Sequence, residues 1–218
     1  CPSQLLRNLI HFSSKSAMDI DGLGEALITS MVNKKIISSA LDIYKLSKDD
    51  LIKLERMGEK SSENILKAIE KSKTRGLDKF LFALGIRHVG QKAAKLIAVK
   101  FENIDNIINA SKEDISSISG LGETVADSLI SYFSLKHNID LIENLKSCGI
   151  KMNYETNVEN YRFKNMNFVL TGSLENYTRG EVTEIIEKMG GRVTSSVSKN
   201  TSYVLVGSEP GSKEEKAK

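Results

Sequence analysis

A five-residue pattern with an apolar residue first and a glycine last recurs four times at a nearly constant interval. It reads Ile20-Asp21-Gly22-Leu23-Gly24, Leu54-Glu55-Arg56-Met57-Gly58, Ile86-Arg87-His88-Val89-Gly90 and Ile118-Ser119-Gly120-Leu121-Gly122. The final glycines are 34, 32 and 32 residues apart. A fixed period of this size is the signature of a repeated supersecondary unit. Each pattern is followed by apolar residues at helical spacing, such as Ala26, Leu27 and Met31 or Ala93, Ala94, Leu96 and Ile97. Each is preceded by another such segment, as with Leu51 and Leu54 or Leu81 and Leu84. The only prolines are Pro2 and Pro210, so none interrupts a helix in this region. Residues 15–150 are therefore expected to be all-helical, as short helix pairs around a shared core.

The joint itself suggests a chemistry. Glycine accepts positive φ and has no Cβ, so the turn can be tight and another backbone can come close. The apolar residue between, Leu23, Met57, Val89 or Leu121, can turn inward and pin the turn. What stays outside is the start of the second helix, whose first N–H groups have no intrahelical acceptor and sit at the positive end of the dipole. That is an anion site, and a phosphate suits it. The candidate residues are Gly22, Gly24, Gly58, Gly90, Gly120 and Gly122, with Lys60 and Lys92 two places after their glycines and the Thr124 hydroxyl at the equivalent place. Arg56 and His88 stand where the other patterns have a first glycine, so those turns are expected to be less tight and more basic. Glu25, Glu59 and Glu123 follow three of the glycines directly. They suit a helix N-terminus, and they also weaken an anion site.

Charge is uneven along the chain. Residues 51–100 carry 12 Lys and Arg against 5 Asp and Glu, while residues 101–150 carry 3 against 8. A local basic surface suits a polyanion, with a merely solvated helical face as the alternative. Four glycine turns in register favour nucleic acid over a helical array that binds protein. No apolar run approaches the roughly 18–20 residues of a membrane-spanning helix, and no secretory leader is visible. Cys1 and Cys148 cannot form a disulfide framework and agree with a reducing compartment. A first residue that is cysteine rather than methionine makes a piece of a longer chain the expectation.

Beyond residue 150 the pattern changes. Residues 151–163 are polar and asparagine-rich, and read as a linker. Then come a β-prone run at Phe168-Val169-Leu170 ending in Thr171-Gly172, a helical pattern from Arg179 to Met189, a Gly190-Gly191 break, and strands at Arg192-Val193-Thr194 and Tyr203–Gly207. Continuous apolar strands imply a small parallel sheet with helices on its faces.

The glycine turns resemble the helix-hairpin-helix motif, whose family use is sequence-independent binding of the DNA backbone. The order VLTGSL, helix, GGRVTSSVSKNTSYVLVG, GSKEEKAK resembles a BRCT domain without its last strand and helix. Phosphate-binding members of that family would imply roles for Thr171, Gly172 and either Lys213 or Lys216; a closed turn and solvated lysines are the other reading. The segment CPSQLLRNLIHFSSKSAMDIDGLGE, with LERMGEKSSENILKAIEKSK and FLFALGIRHVGQKAAKLIA, resembles bacterial NAD-dependent DNA ligases from the last zinc-finger cysteine into the hairpins. The resemblance implies a mainly α chain: a zinc-finger remnant at 1–14, four hairpins at 15–150, a linker at 151–163 and a truncated α/β BRCT domain at 164–218.

It also implies a cytoplasmic, nucleoid-associated parent enzyme that seals nicks between 5′-phosphate and 3′-hydroxyl ends of duplex DNA, using NAD and magnesium. Cys1 would be the fourth ligand of a structural zinc in that parent. No Lys-x-Asp-Gly adenylation motif is present, so this part is expected to be inactive alone and to hold no cofactor. Nicked double-stranded DNA is the implied partner, a BRCT partner is unspecified, and no membrane is implied. His11 and Cys148 read as structural. Two alternatives remain: a helix-hairpin-helix fragment of another DNA repair protein, and a BRCT-based protein-interaction adaptor.

Overall fold

Each pattern folds as a helix, a turn and a second helix. The computed structural model describes residues 2–55, 57–154, 162–174 and 177–208. The chain divides into two compact units, Cys1–Glu155 and Thr156–Lys218. In the first, α1 (Pro2–Ser13) leads into α2 (Glu25–Asn33), α4 (Lys48–Ile52) into α5 (Glu59–Ser72), α6 (Leu77–Ala83) into α7 (Gln91–Phe101), and α9 (Lys112–Ser116) into α10 (Glu123–Phe133). Two short helices, α3 (Ala40–Ile43) and α8 (Ile104–Ile108), link the hairpins, and α11 (Lys136–Ser147) closes the unit. The two members of every hairpin pack on each other.

The two kinds of helix begin differently. Both α4 and α9 start with a capping box, in which Ser47 or Ser111 accepts from the N–H three residues on and Asp50 or Asp114 reaches back. Such caps satisfy the orphan donors locally and are worth about 1 kcal/mol each. The second helices α2, α5, α7 and α10 all start at a glycine with no side-chain cap. Their inward faces bury Ile28 and Met31, Ile65 and Ile69, Ala94 and Ile97, and Ala126 and Leu129 at helical spacing. Burying such an aliphatic side chain is worth roughly 1.5–3 kcal/mol.

The four hairpins associate as two pairs. A Cβ built on Gly22 would lie 3.0 Å from Ile65 Cγ1, so the first turn rests on α5. A Cβ on Gly120 would lie 3.6 Å from Leu96 Cδ1, so the fourth turn rests on α7. Reciprocally, a cleft of about 450 Å³ is lined by Gly85–His88 of the third turn and by Thr124, Asp127, Ser128 and Ser131 of α10.

Within the segment 1–14, which the resemblance implies to be a zinc-finger remnant, residues 2–13 form α1, which buries Leu9 and Phe12 in the helical core. His11 on that helix is structural, as expected: Nε2 donates to the Phe82 carbonyl at 2.8 Å and the ring meets Phe82 edge-on. The expected linker at 151–163 is part of the fold at its start. Lys151 donates its N–H to the Lys73 carbonyl, Met152 is buried and accepts from the Ile104 N–H, and Tyr154 donates to Glu102. Polarity misled here because these residues are held through their main chain.

In the second unit β1 (Asn167–Thr171) is the centre of a parallel sheet ordered β2-β1-β3, with β2 (Arg192–Thr194) and β3 (Tyr203–Val206) on either side. The crossover helix α12 (Arg179–Lys188) opens with a capping box between Thr178 and Glu181 and packs Ile186 against Phe168 and Leu170. The main chain crosses itself closely beyond β3, where a Cβ on Gly207 would stand 2.2 Å from the Ser173 carbonyl oxygen. Only glycine fits there. Among the described residues no helix is long and apolar enough to cross a membrane.

Candidate nucleic-acid interface

In every hairpin the turn is closed by one main-chain hydrogen bond across the five-residue pattern. Leu23 donates to Ile20, Met57 to Leu54, Val89 to Ile86 and Leu121 to Ile118, at 3.0 to 3.2 Å. A turn closed in this way takes positive φ at its third residue when it is of type II. Gly22 (φ 81°) and Gly120 (φ 92°) do so, and His88 does so at φ 65°. The third turn is therefore as tight as the first and fourth, contrary to the looser geometry expected from His88. A non-glycine residue held there costs roughly 1–2 kcal/mol. Arg56, the fourth member of this set, lies outside the described residues.

The final glycines are a different case. Gly24, Gly58, Gly90 and Gly122 have φ between −80° and −108° with ψ from 168° to 176°, an extended backbone open to any residue. A Cβ at any of the four would meet nothing within 4 Å. Neither turn geometry nor packing inside the chain requires glycine at these sites. Glycine leaves the space in front of each helix start open.

Beside each of these glycines lie free donors. The N–H groups of residues 24–27, 58–61 and 90–93 have no acceptor among the described residues, and in the fourth hairpin those of residues 122–124 are free while Val125 turns back to Gly122 at 3.0 Å. Lys60, Lys92 and Thr124 are exposed next to them, and neither lysine is in an ion pair among the described residues. Buried Ser62 fixes the start of α5, its hydroxyl donating to the Gly58 carbonyl at 2.9 Å.

The acidic residues differ in their state. Glu59 is 3.5 Å from Lys48, which also binds Glu63 at 2.9 Å and through that hydrogen bond holds Glu63 below the usual carboxylate range. On α10, Asp127 is taken up by Lys112 at 2.6 Å. The fourth hairpin thus offers fewer free donors at its helix start than the other three.

Some of what orders the site escaped the sequence reading. Arg75 donates from Nη2 to the Lys15 carbonyl at 3.0 Å and from Nε to the Ala17 carbonyl at 3.3 Å, and pairs with Asp19 at 3.5 Å. It fastens the approach to the first turn from about 60 residues away, a distance no local pattern reports. In the second unit Thr171 is buried in the β1–β3 ladder and Gly172 (φ 77°) would place a Cβ 2.7 Å from the Ser208 carbonyl oxygen. Close packing accounts for both. The cation beside them is Arg179, 3.5 Å from the Gly172 carbonyl; Lys213 and Lys216 lie outside the described residues. Cys1 does so too, and among the described residues no group of three or more His, Cys, Asp or Glu could hold a metal.

Comparison with known proteins agrees with this anatomy. Residues 14–71, the first hairpin pair, match the SAM-like helix-hairpin-helix tandem, and residues 79–142, the second pair, match the helix-hairpin-helix motif. Residues 162–218 match the BRCA1 C Terminus (BRCT) domain. Along its whole length the chain is 52% identical to a DNA ligase of Thermoanaerobacter pseudethanolicus, 45% identical to one of Carboxydothermus hydrogenoformans and 47% identical to one of Listeria monocytogenes. The chain is homologous to DNA ligases. It spans 33% of the length of each of these relatives. Its architecture is tandem helix-hairpin-helix domains followed by a BRCT domain with a three-stranded parallel sheet.

Proposed function

We propose that this chain is the DNA-holding part of an NAD-dependent DNA ligase, and that it binds the sugar-phosphate backbone of duplex DNA around a nick without reading sequence. The observation that carries this is the four exposed N-cap glycines, each in unstrained extended backbone, each with open space where a Cβ would be, and each followed by unpaired N–H groups. A phosphate oxygen can come within hydrogen-bond distance of such amides only if no side chain stands in front. Contacts of this kind position a protein on DNA and carry no base information. Gly24, Gly58 and Gly90 serve as the principal phosphate sites, with Lys60 and Lys92 adding charge; Gly122 and Thr124 contribute least. Gly22, His88 and Gly120 shape the turns.

In this reading the longer parent joins 5′-phosphate to 3′-hydroxyl ends in the cytoplasm, at the nucleoid. NAD supplies the adenylyl group, magnesium assists, and zinc is held with the help of Cys1. These groups belong to segments other than the described residues, and this chain alone binds without sealing.

Titration of the 218-residue chain onto labelled nicked and intact duplexes tests the reading. With about six phosphates neutralised, affinity falls roughly a thousandfold between 50 and 200 mM salt. Lys60→Glu with Lys92→Glu weakens binding to any duplex sequence alike. Affinity unchanged in that double variant, or insensitive to salt, defeats the assignment.

A further inference from the structure

The longest of the second helices carries a feature that the hairpin contacts leave unused. On α5, Lys60, Asn64, Lys67 and Lys71 stand 2, 6, 9 and 13 places after Gly58, which at 3.6 residues per turn puts them along one stripe. All four are exposed, while the core face of the same helix is formed by Ser62, Ile65, Ile69 and Ser72 on the opposite side.

The acids of this helix are neutralised from elsewhere. Lys48 takes Glu59 and Glu63, and Lys73 takes Glu70 at 2.7 Å. Lys60, Lys67 and Lys71 enter no ion pair among the described residues, and Lys67 acts on Glu63 only at longer range. The equivalent stripes on the sister helices are not basic. Within these shorter helices they read Ala26, Ser30 and Asn33 after Gly24, Lys92, Leu96 and Val99 after Gly90, and Thr124, Ser128 and Ser131 after Gly122. A general need for solvated surface would act on all four helices alike. Here only one is cationic from end to end.

We infer that the Lys67–Lys71 end of this stripe on α5 is a second DNA-backbone track, which takes phosphates outside the stretch that the hairpin turns engage. The inference rests on the DNA-binding reading above. Lys60 and Lys71 are roughly 16 Å apart along the helix, so a helix that presents its N-terminal amides end-on to one phosphate carries Lys71 out of reach of that phosphate. Free cations at the far end serve a further segment of the same polyanion. Their placement extends the footprint along the duplex and raises the number of counterions released.

The test compares the intact 218-residue chain with its Lys67→Gln/Lys71→Gln variant on a duplex of about 30 base pairs, by fluorescence anisotropy at 50 and 200 mM salt. The expected result is weaker binding by the variant, with the slope of log affinity against log salt lower by about 1.8, so that the wild-type advantage shrinks about tenfold between the two salts. Lys67→Arg/Lys71→Arg restores wild-type behaviour. Lys34→Gln/Lys35→Gln, the same charge change at the far end of α2, leaves the slope unchanged. The inference is overturned if the stripe variant matches wild type in affinity and slope, if the Lys34→Gln/Lys35→Gln variant lowers the slope as much, or if poly-glutamate of equal charge competes at the stripe as well as DNA does. Failure of the wild-type chain to bind the duplex would instead sink the DNA-binding reading itself.

Discussion

Replacing Gly58 and Gly90 together by serine separates what these residues do for the fold from what they do for a ligand. Both sit in extended backbone, and a Cβ at either meets nothing within 4 Å. Removing glycine from a compatible site restricts the unfolded chain and stabilises by about 0.4–1 kcal/mol per site. Serine is also at least as good an N-cap as glycine and adds a few tenths of a kcal/mol. The two sites are independent, so the pair gains about 1–2 kcal/mol, or about 2–8 °C in Tm for a chain of this size. The new hydroxyls accept the N–H groups that a phosphate would use, and the new Cβ atoms stand in its way. Each lost contact, a hydrogen bond to a charged group worth about 1.5–3 kcal/mol, weakens binding roughly tenfold or more, while the salt slope changes little because a neutral amide displaces few counterions. Thermal unfolding by circular dichroism and anisotropy with a labelled duplex measure both effects. Gly22→Ala is the internal control: at φ 81° and 3.0 Å from Ile65 it loses roughly 1–2 kcal/mol or more. A serine variant that melts earlier than wild type would refute the open-space argument. One that is more stable but binds DNA with unchanged affinity would refute the role of the amides.

His88→Gly relieves the left-handed backbone at the third turn and stabilises by several tenths to about 1 kcal/mol in thermal melts, the strain removed being partly offset by a freer unfolded chain. Burial pushes the phenols of Tyr44 and Tyr132 up to about 12. Between the ordinary tyrosine value near 10 and that level the unfolded chain binds fewer protons than the folded one, so stability falls as pH rises through this window. Phenolate absorbance should appear together with loss of helical signal, and Tyr44→Phe/Tyr132→Phe should flatten the alkaline decline while costing some stability at neutral pH, where the Tyr44–Ser72 hydrogen bond is lost.

The starts of α2, α5, α7 and α10 were legible because glycine followed by an apolar 3.6-residue pattern marks a helix start with no side-chain cap. The strands were legible for a similar reason: β1 and β3 fall on apolar runs, and β2 falls on the Arg192–Thr194 segment after the Gly190-Gly191 break. Which glycine does which task was less so. The pattern allowed positive φ at either glycine, and the structure gives it to the first of each pair and leaves the second extended. His88 suggests a looser turn, yet it takes positive φ, as Gly22 and Gly120 do, and its turn is closed by the same bond, from Val89 to Ile86. The stretch 151–154 looked like a linker because its contacts run through main-chain groups, which carry no residue-type signal.

By itself, then, the sequence determined the number of hairpins, their period, the exposed row of helix starts and the change to a parallel α/β unit. These depend on residues a few places apart, and spacing records them directly. Only the tertiary structure decided that the hairpins form two pairs, that Arg75 fastens the first turn, and that Lys48 neutralises Glu59 and Glu63 of α5. Those outcomes depend on which surfaces meet after the core has closed, and ion pairing between groups brought together from distant positions leaves no period in the chain.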